Sequence, residues 1–324
     1  MLVPVLLFLL GLLCLIFGGD WFVDGAVGIA HKFKIPELLI GATIVSIGTT
    51  LPEVMVSATS AAQGHGEIAY GNAIGSIICN AALICALTCA FMPGKVDRKS
   101  LKLPVIFFFI SSALYMVAAY AMHGFPRWSG IVLLVIFLVY MVICVRQSLA
   151  KSETTAHPEP SEKEKKPSPL WKDILLLIIG AALIAVGANL LVDNGTLIAL
   201  ALGVPESVVA LTFVALGTSL PELVTAITSL VKGHSAISVG NICGANLFNL
   251  VLVSGLSITI SPFALPVEKT IAGINASLLV DLPLMIIVML ILTVPALVKG
   301  KLYRSQGIVL LAIYAAFVVF QFVS

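Results

Sequence analysis

Charge is scarce in this chain. Lys, Arg, Asp and Glu make up 10% of the 324 residues, the net charge is +2, and no basic stripe is visible. A soluble domain carries about a quarter charged residues, so a soluble enzyme, a disordered chain and a nucleic-acid binder are excluded. No G-x-x-x-x-G-K-[ST] loop is present to cradle a nucleotide phosphate. The six cysteines (Cys14, Cys79, Cys85, Cys89, Cys144, Cys243) lie inside apolar runs without CxxC pairing. They read as small buried hydrophobes rather than disulfides or metal ligands. The five histidines (His31, His65, His123, His157, His234) fall in loops or at span ends, which argues against a zinc site at membrane depth.

What is abundant is apolar sequence: 60% of residues are hydrophobic and the mean hydropathy is +1.12. At about 20 residues per span and about 30 per helix plus loop, the length allows about ten transmembrane helices. Apolar segments run near 2–30, 36–62, 70–92, 102–121 and 128–147, then near 170–198, 205–231, 238–260, 281–298 and 304–322. They are continuous, unlike the alternating segments of a barrel. The first lacks a basic n-region and ends in Gly18-Gly19-Asp20. It is expected to be a membrane helix rather than a signal peptide. Between the two sets, residues 150–168 read AKSETTAHPEPSEKEKKPS, a polar tether. The expected organisation is an N-terminal five-helix repeat (1–149), a linker (150–169) and a C-terminal five-helix repeat (170–324).

Sixteen of the eighteen Lys and Arg residues fall in one set of alternating loops; the other set holds only Arg127 and Lys269. The positive-inside rule makes the rich side cytoplasmic, so the linker is expected inside and both termini outside. Trp21, Trp128 and Trp171 sit near span ends, where indole rings anchor at the membrane interface.

The two sets of spans are copies. IPELLIGATIVSIGTTLPE at 35–53 matches VPESVVALTFVALGTSLPE at 204–222, an offset of 169 that holds without a gap from Asp24/Asp193 to Asn80/Asn249. Leu103-Pro104 matches Leu282-Pro283 only at offset 179, so the second half carries ten extra residues around 262–280. Five spans is an odd number, so the second copy enters the membrane inverted. Inverted repeats place binding sites near the midplane, between the copies.

The matched residues are polar although they lie in apolar spans. Gly48-Thr49-Thr50-Leu51-Pro52-Glu53 and Gly217-Thr218-Ser219-Leu220-Pro221-Glu222 each combine a helix-breaking proline with glycine. The expectation is a broken helix whose freed carbonyls face a polar cavity. A carboxylate near the bilayer centre costs at least about 2.5–3.5 kcal/mol. Glu53 and Glu222 have no Lys or Arg in either core, so a bound cation is the natural partner; a protonated pair hydrogen-bonded to backbone is the alternative. Carboxylates and hydroxyls are hard oxygen donors, suited to Ca²⁺ and Na⁺. A second polar cluster, GNAIGSIICN at 71–80 and GNICGANLFN at 240–249, puts Ser76 and Asn80 on one helix face. The amides of Asn80 and Asn249 complete an oxygen shell or serve interhelical hydrogen bonds. Asp24 and Asp193, nearer the span ends, read as interfacial anchors.

Paired GT[ST]LPE and GNxxG…N cores in inverted halves resemble the Ca²⁺:cation antiporters, and within them the prokaryotic sodium/calcium exchangers. The resemblance covers the whole chain and implies an all-α membrane protein of ten helices that exchanges Na⁺ for Ca²⁺ across the cell membrane and extrudes Ca²⁺ electrogenically. It implies Glu53 and Glu222 as central ligands, with the hydroxyls of Thr49, Thr50, Thr218 and Ser219, backbone carbonyls at Ser46 and Ala215, and the positions of Ser76, Asn80 and Asn249 lining the site. No catalytic residue, cofactor, nucleic acid or obligate protein partner is expected; the partners are Ca²⁺, Na⁺ and the lipid bilayer. Departures from the family pattern are Ile77, where many relatives have the Asn kept at Asn246, and Ala245 in place of the serine that matches Ser76. Asn249 stands where potassium-dependent members carry Asp. The alternative is Ca²⁺/H⁺ exchange on the same two carboxylates. An intramembrane hydrolase with Ser219 or Thr50 as nucleophile is disfavoured, because no intramembrane His or Lys accompanies them.

Overall fold

The computed structural model describes residues 2–154, 169–202, 217–266, 270–271 and 273–323. The helices are α1 (Leu2–Lys32), α2 (Glu37–Ala62), α3 (Gly66–Phe91), α4 (Arg98–Met122), α5 (Arg127–Thr154), α6 (Leu170–Ala201), α7 (Leu220–Val231), α8 (Ser235–Ile260), α9 (Ser277–Lys299) and α10 (Arg304–Val323). Among the described residues nine helices are long and apolar enough to cross a membrane, and α7 is shorter. Hydrocarbon offers no partner to a free N–H or C=O, so apolar runs of this length close their hydrogen bonds within each helix. Leu6, Leu9, Leu13 and Ile16 of α1 stay exposed, as side chains facing lipid tails do. Trp128 and Trp171 are exposed at the first turns of α5 and α6, whereas Trp21, expected near a span end, is exposed well inside α1, which continues to Lys32.

The repeat is visible in local backbone. Both α2 and α7 end in the same turn. His65 N–H donates to Ser60 O at 2.9 Å and His234 N–H to Ser229 O at 2.7 Å, the long bond of a Schellman cap. Gly64 (φ 86°) and Gly233 (φ 84°) supply the left-handed residue that the cap needs. In α3 and α8 the helix widens to π geometry over Asn80–Cys85 and Asn249–Ser254. Each stretch begins at the repeat-matched asparagine. Such bulges are frequent at functional sites.

The inversion shows in how α1 meets α6. A Cβ added at Gly11 would lie 2.9 Å from Gly187 O, one at Gly187 2.8 Å from Gly11 O, and one at Gly18 3.0 Å from Gly180 O. Gly11/Gly180 and Gly18/Gly187 are equivalent positions in the two copies. The helices therefore run antiparallel, each presenting its first glycine to the other's second. Small residues allow this close approach. The pair joins Ile40 and Val45 of α2 and Ile237 of α8 in one apolar cluster, while most remaining helices share a second.

Loops sort onto two faces. Val96 N–H donates to Gly300 O and Leu302 N–H to Gly94 O, both at 2.9 Å, joining two Lys/Arg-rich loops. On the other face, β1 (Gly124–Phe125) pairs antiparallel with β2 (Phe263–Ala264). The extra residues of the second half also form the hairpin β3 (Thr270–Ile271) and β4 (Ile274–Asn275).

Candidate functional site

The two acidic cores reach the middle of the molecule differently. In α2 the helix continues through Pro52, contrary to the expected break at Gly48–Pro52. The departure from α geometry lies one to two turns earlier, as π-helix over Gly41–Val45. Proline has no N–H to offer the Gly48 carbonyl, yet the remaining bonds hold the helix on both sides. In the second half the break is present. Thr218 and Ser219 form a turn, and α7 starts at Leu220 with Pro221 in its first turn, where a missing N–H costs nothing. Ala215 lies outside the described residues.

Glu53 and Glu222 are both 0% exposed and close enough for their charges to interact. The halves touch through Thr50 Oγ1, 3.5 Å from Glu222 Oε1. Both oxygens of Glu53 and Oε2 of Glu222 have no hydrogen-bond partner among the described residues. The same holds for the buried amides of Asn80 and Asn249 and for Ser219 Oγ. Ser76 is buried and Thr218 half-buried. Contacts between acidic and basic side chains occur elsewhere, among them His31 and His234 on Glu37, His65 on Glu67, and Lys232 on Asp20 and Asp24. Burying a carboxylate without counter-charge or hydrogen bonds is among the costliest arrangements in a protein. Two such groups, one from each copy, form a site chemically matched to a hard cation. No group of three His, Cys, Asp or Glu side chains suited to a resident metal occurs among the described residues.

Two further residues shape the site. Asn241 Oδ1 accepts from Thr49 Oγ1 at 3.1 Å, and its main-chain carbonyl accepts from Ser46 Oγ at 2.9 Å. Its repeat mate Asn72 donates to Glu53 O at 3.2 Å and to Ser57 Oγ at 2.8 Å. Both matched asparagines thus hold the first core. Glycine makes the approach possible, since a Cβ at Gly240 or Gly244 would collide with α2 at Leu38 O or Ser46 Oγ. The repeated Gly-Asn pair was the available sequence signal; which neighbour each amide meets was not encoded in the spacing. Asn246 donates to Met289 Sδ at 3.1 Å. Asp24, expected as an anchor, lies 2.8 Å from Lys232 Nζ.

Known proteins match this architecture along its length. The family described as "Sodium/calcium exchanger protein" matches residues 3–146 and 172–323. An uncharacterized membrane protein of Methanocaldococcus jannaschii is 34% identical over 307 residues, covering 95% of this chain and 94% of that one. The sodium/calcium exchanger MaX1 of Methanosarcina acetivorans is 30% identical over 353 residues, covering 99% of each. Among solved structures, the sodium-calcium exchanger NCX_Mj soaked with Na⁺ and Sr²⁺ superposes with a TM-score of 0.79 at 31% identity, covering 98% of both chains. The chain belongs to the sodium/calcium exchanger family.

Proposed function

We propose that this protein is a secondary antiporter that exchanges Na⁺ for Ca²⁺ across the cell membrane and extrudes Ca²⁺ electrogenically. The observation that carries the reading is the pair Glu53 and Glu222, fully buried, contributed by opposite copies, with three carboxylate oxygens unpartnered among the described residues. Family membership and the names of MaX1 and NCX_Mj support the choice of ions. In this reading the two carboxylates bind the cation centrally. Thr49, Thr50, Thr218, Ser219 and Ser76 add hydroxyl oxygens, Asn80 and Asn249 amide oxygens, and Ser46 and Ala215 main-chain carbonyls. The substrates Ca²⁺ and Na⁺ are the only small molecules required; no cofactor and no catalytic step enter the cycle.

The charge arithmetic gives the energetics. Two ionised carboxylates carry −2, which one Ca²⁺ or two Na⁺ neutralise. A third Na⁺ leaves the Na⁺-loaded carrier with one positive charge, worth about 2.3 kcal/mol per 100 mV. An inside-negative potential then drives Na⁺ entry and Ca²⁺ exit. In the membrane the halves 1–149 and 170–324 lie on either side of a cytoplasmic linker (150–169), with both termini outside, following the Lys/Arg asymmetry.

The test is uptake of radiolabelled Ca²⁺ into proteoliposomes loaded with Na⁺, compared with uptake driven by a proton gradient without Na⁺. Uptake that needs internal Na⁺ and grows with internal positive potential supports the proposal. Uptake that ignores Na⁺ and potential but follows the proton gradient contradicts it and selects electroneutral exchange for two protons.

A further inference from the structure

Hydroxyls on membrane helices ordinarily bond back to the carbonyl one turn earlier, and several here do. Ser111, Ser112, Ser257, Thr259 and Thr293 all donate to the carbonyl four residues before them, at 2.6–2.8 Å. Thr225 and Ser229 of α7 and Ser238 of α8 do not. All three are buried, and none has a hydrogen-bond partner among the described residues. A buried hydroxyl left unsatisfied is costly, and three in one region call for a common explanation.

Their positions supply it. Glu222, Thr225 and Ser229 are spaced three and four residues apart, which aligns them along one face of α7. The row starts at the carboxylate and ends one turn from Lys232, on the Lys/Arg-rich face. Ser238 lies where α8 leaves that same face. It lines a cavity of about 20 Å³ shared with Leu230, Ser235, Gly94, Lys95 and Leu302. That volume accommodates about one water. The row belongs to one copy only. The repeat-matched positions are Val56, Ser60 and Ala69, of which only Ser60 keeps a hydroxyl.

We infer that Thr225, Ser229 and Ser238 line the route by which a partly hydrated Na⁺ or Ca²⁺ passes between Glu222 and the Lys/Arg-rich face, their free oxygens replacing lost water ligands. In the structure the row is closed, since these oxygens are shielded from solvent. Opening is required only when the site faces that side. The opposite side, where the matched positions are less polar, needs a route built from other residues. The inference rests on the proposal that Glu53 and Glu222 hold the transported cation.

Single cysteines at 225, 229 and 238, in a background without the six native ones, test the route in oriented vesicles during exchange. A cationic, impermeant methanethiosulfonate added on the Lys/Arg-rich face should modify all three at least tenfold faster than a cysteine at Ile227, which is exposed on the other side of α7. Modification no faster than at 227, or only from the opposite face, overturns the route. As a second measurement, Thr225→Val with Ser229→Ala should lower turnover several-fold while equilibrium Ca²⁺ binding in detergent stays within twofold. Full turnover in that variant also overturns it. Ca²⁺ binding that survives Glu222→Gln shows instead that the ion-site proposal has failed, which separates the two failures.

Discussion

Thr49 donates its hydroxyl hydrogen to Asn241 Oδ1 across 3.1 Å, joining α2 to α8 at the level of the acidic cores. A hydroxyl presents lone pairs to a cation only if its hydrogen points elsewhere, and Asn241 gives that hydrogen a destination. Asn241→Ala should therefore raise the Ca²⁺ concentration for half-maximal transport by up to about tenfold, the upper end of what one neutral hydrogen bond contributes. Combined with Thr49→Val it should add little further. A double variant whose effect is the product of the singles would show that Asn241 acts apart from Thr49.

The antiparallel glycine contact sets a stability prediction. A side chain at Gly18 meets Ile184 N and Leu183 Cβ at 2.9 Å, so Gly18→Leu must push α1 from α6 at a cost of about 1–3 kcal/mol. Thermal unfolding in detergent should fall by several degrees. Gly94→Ala, with no described atom within 4 Å of the added carbon, should leave the midpoint unchanged.

Sidedness is testable at residues whose exposure is known. Lys99, beside the loop that pairs with 300–302, and Ala264, in β2, are exposed on opposite faces. Cysteines at Lys99 and Ala264, without the native six, should label from opposite sides of the membrane, Lys99 from the cytoplasm. Labelling of both from one side contradicts the inverted arrangement in the membrane.

Much of this architecture is legible in sequence because lipid imposes it. Apolar runs must become helices, and an odd-numbered repeat must invert, so the outlines of α1 to α6 and α8 to α10 follow from composition and spacing. The polar residues Glu53, Glu222, Asn80 and Asn249 stand out because their burial is expensive. That Glu53 and Glu222 come together beside Thr50 depends on tertiary packing that no local pattern encodes. Proline overstated the break in α2, where helix bonds on both sides of Pro52 outweigh the one lost. Asn241 and the Thr225–Ser229 row were hidden for another reason. A Ser, Thr or Asn in an apolar span looks the same whether it bonds to its own helix, a neighbour or an ion.

Asn249 offers a test of the charge arithmetic. Its amide is fully buried and unpartnered among the described residues. In the proposed site Asn249→Asp would add one negative charge, so the Ca²⁺-loaded carrier would change from neutral to −1 and a carrier with three Na⁺ from +1 to neutral. In the native protein Ca²⁺/Ca²⁺ exchange should ignore membrane potential. In the variant it should respond, measured as isotope exchange in vesicles clamped with K⁺ and valinomycin. Potential-independent Ca²⁺/Ca²⁺ exchange by an active variant would put residue 249 outside the field that the ion crosses.

Competition for the buried carboxylates is the most direct measurement. Equilibrium binding of radiolabelled Ca²⁺ to the detergent-purified protein, titrated with Na⁺, should show displacement steeper than one-for-one, because the proposed exchange replaces each Ca²⁺ by more than one Na⁺. Glu53→Gln and Glu222→Gln should each abolish the displaceable binding while leaving the size-exclusion profile unchanged. Ca²⁺ binding of native strength in both variants, still displaced by Na⁺, would contradict a site shared between Glu53 and Glu222.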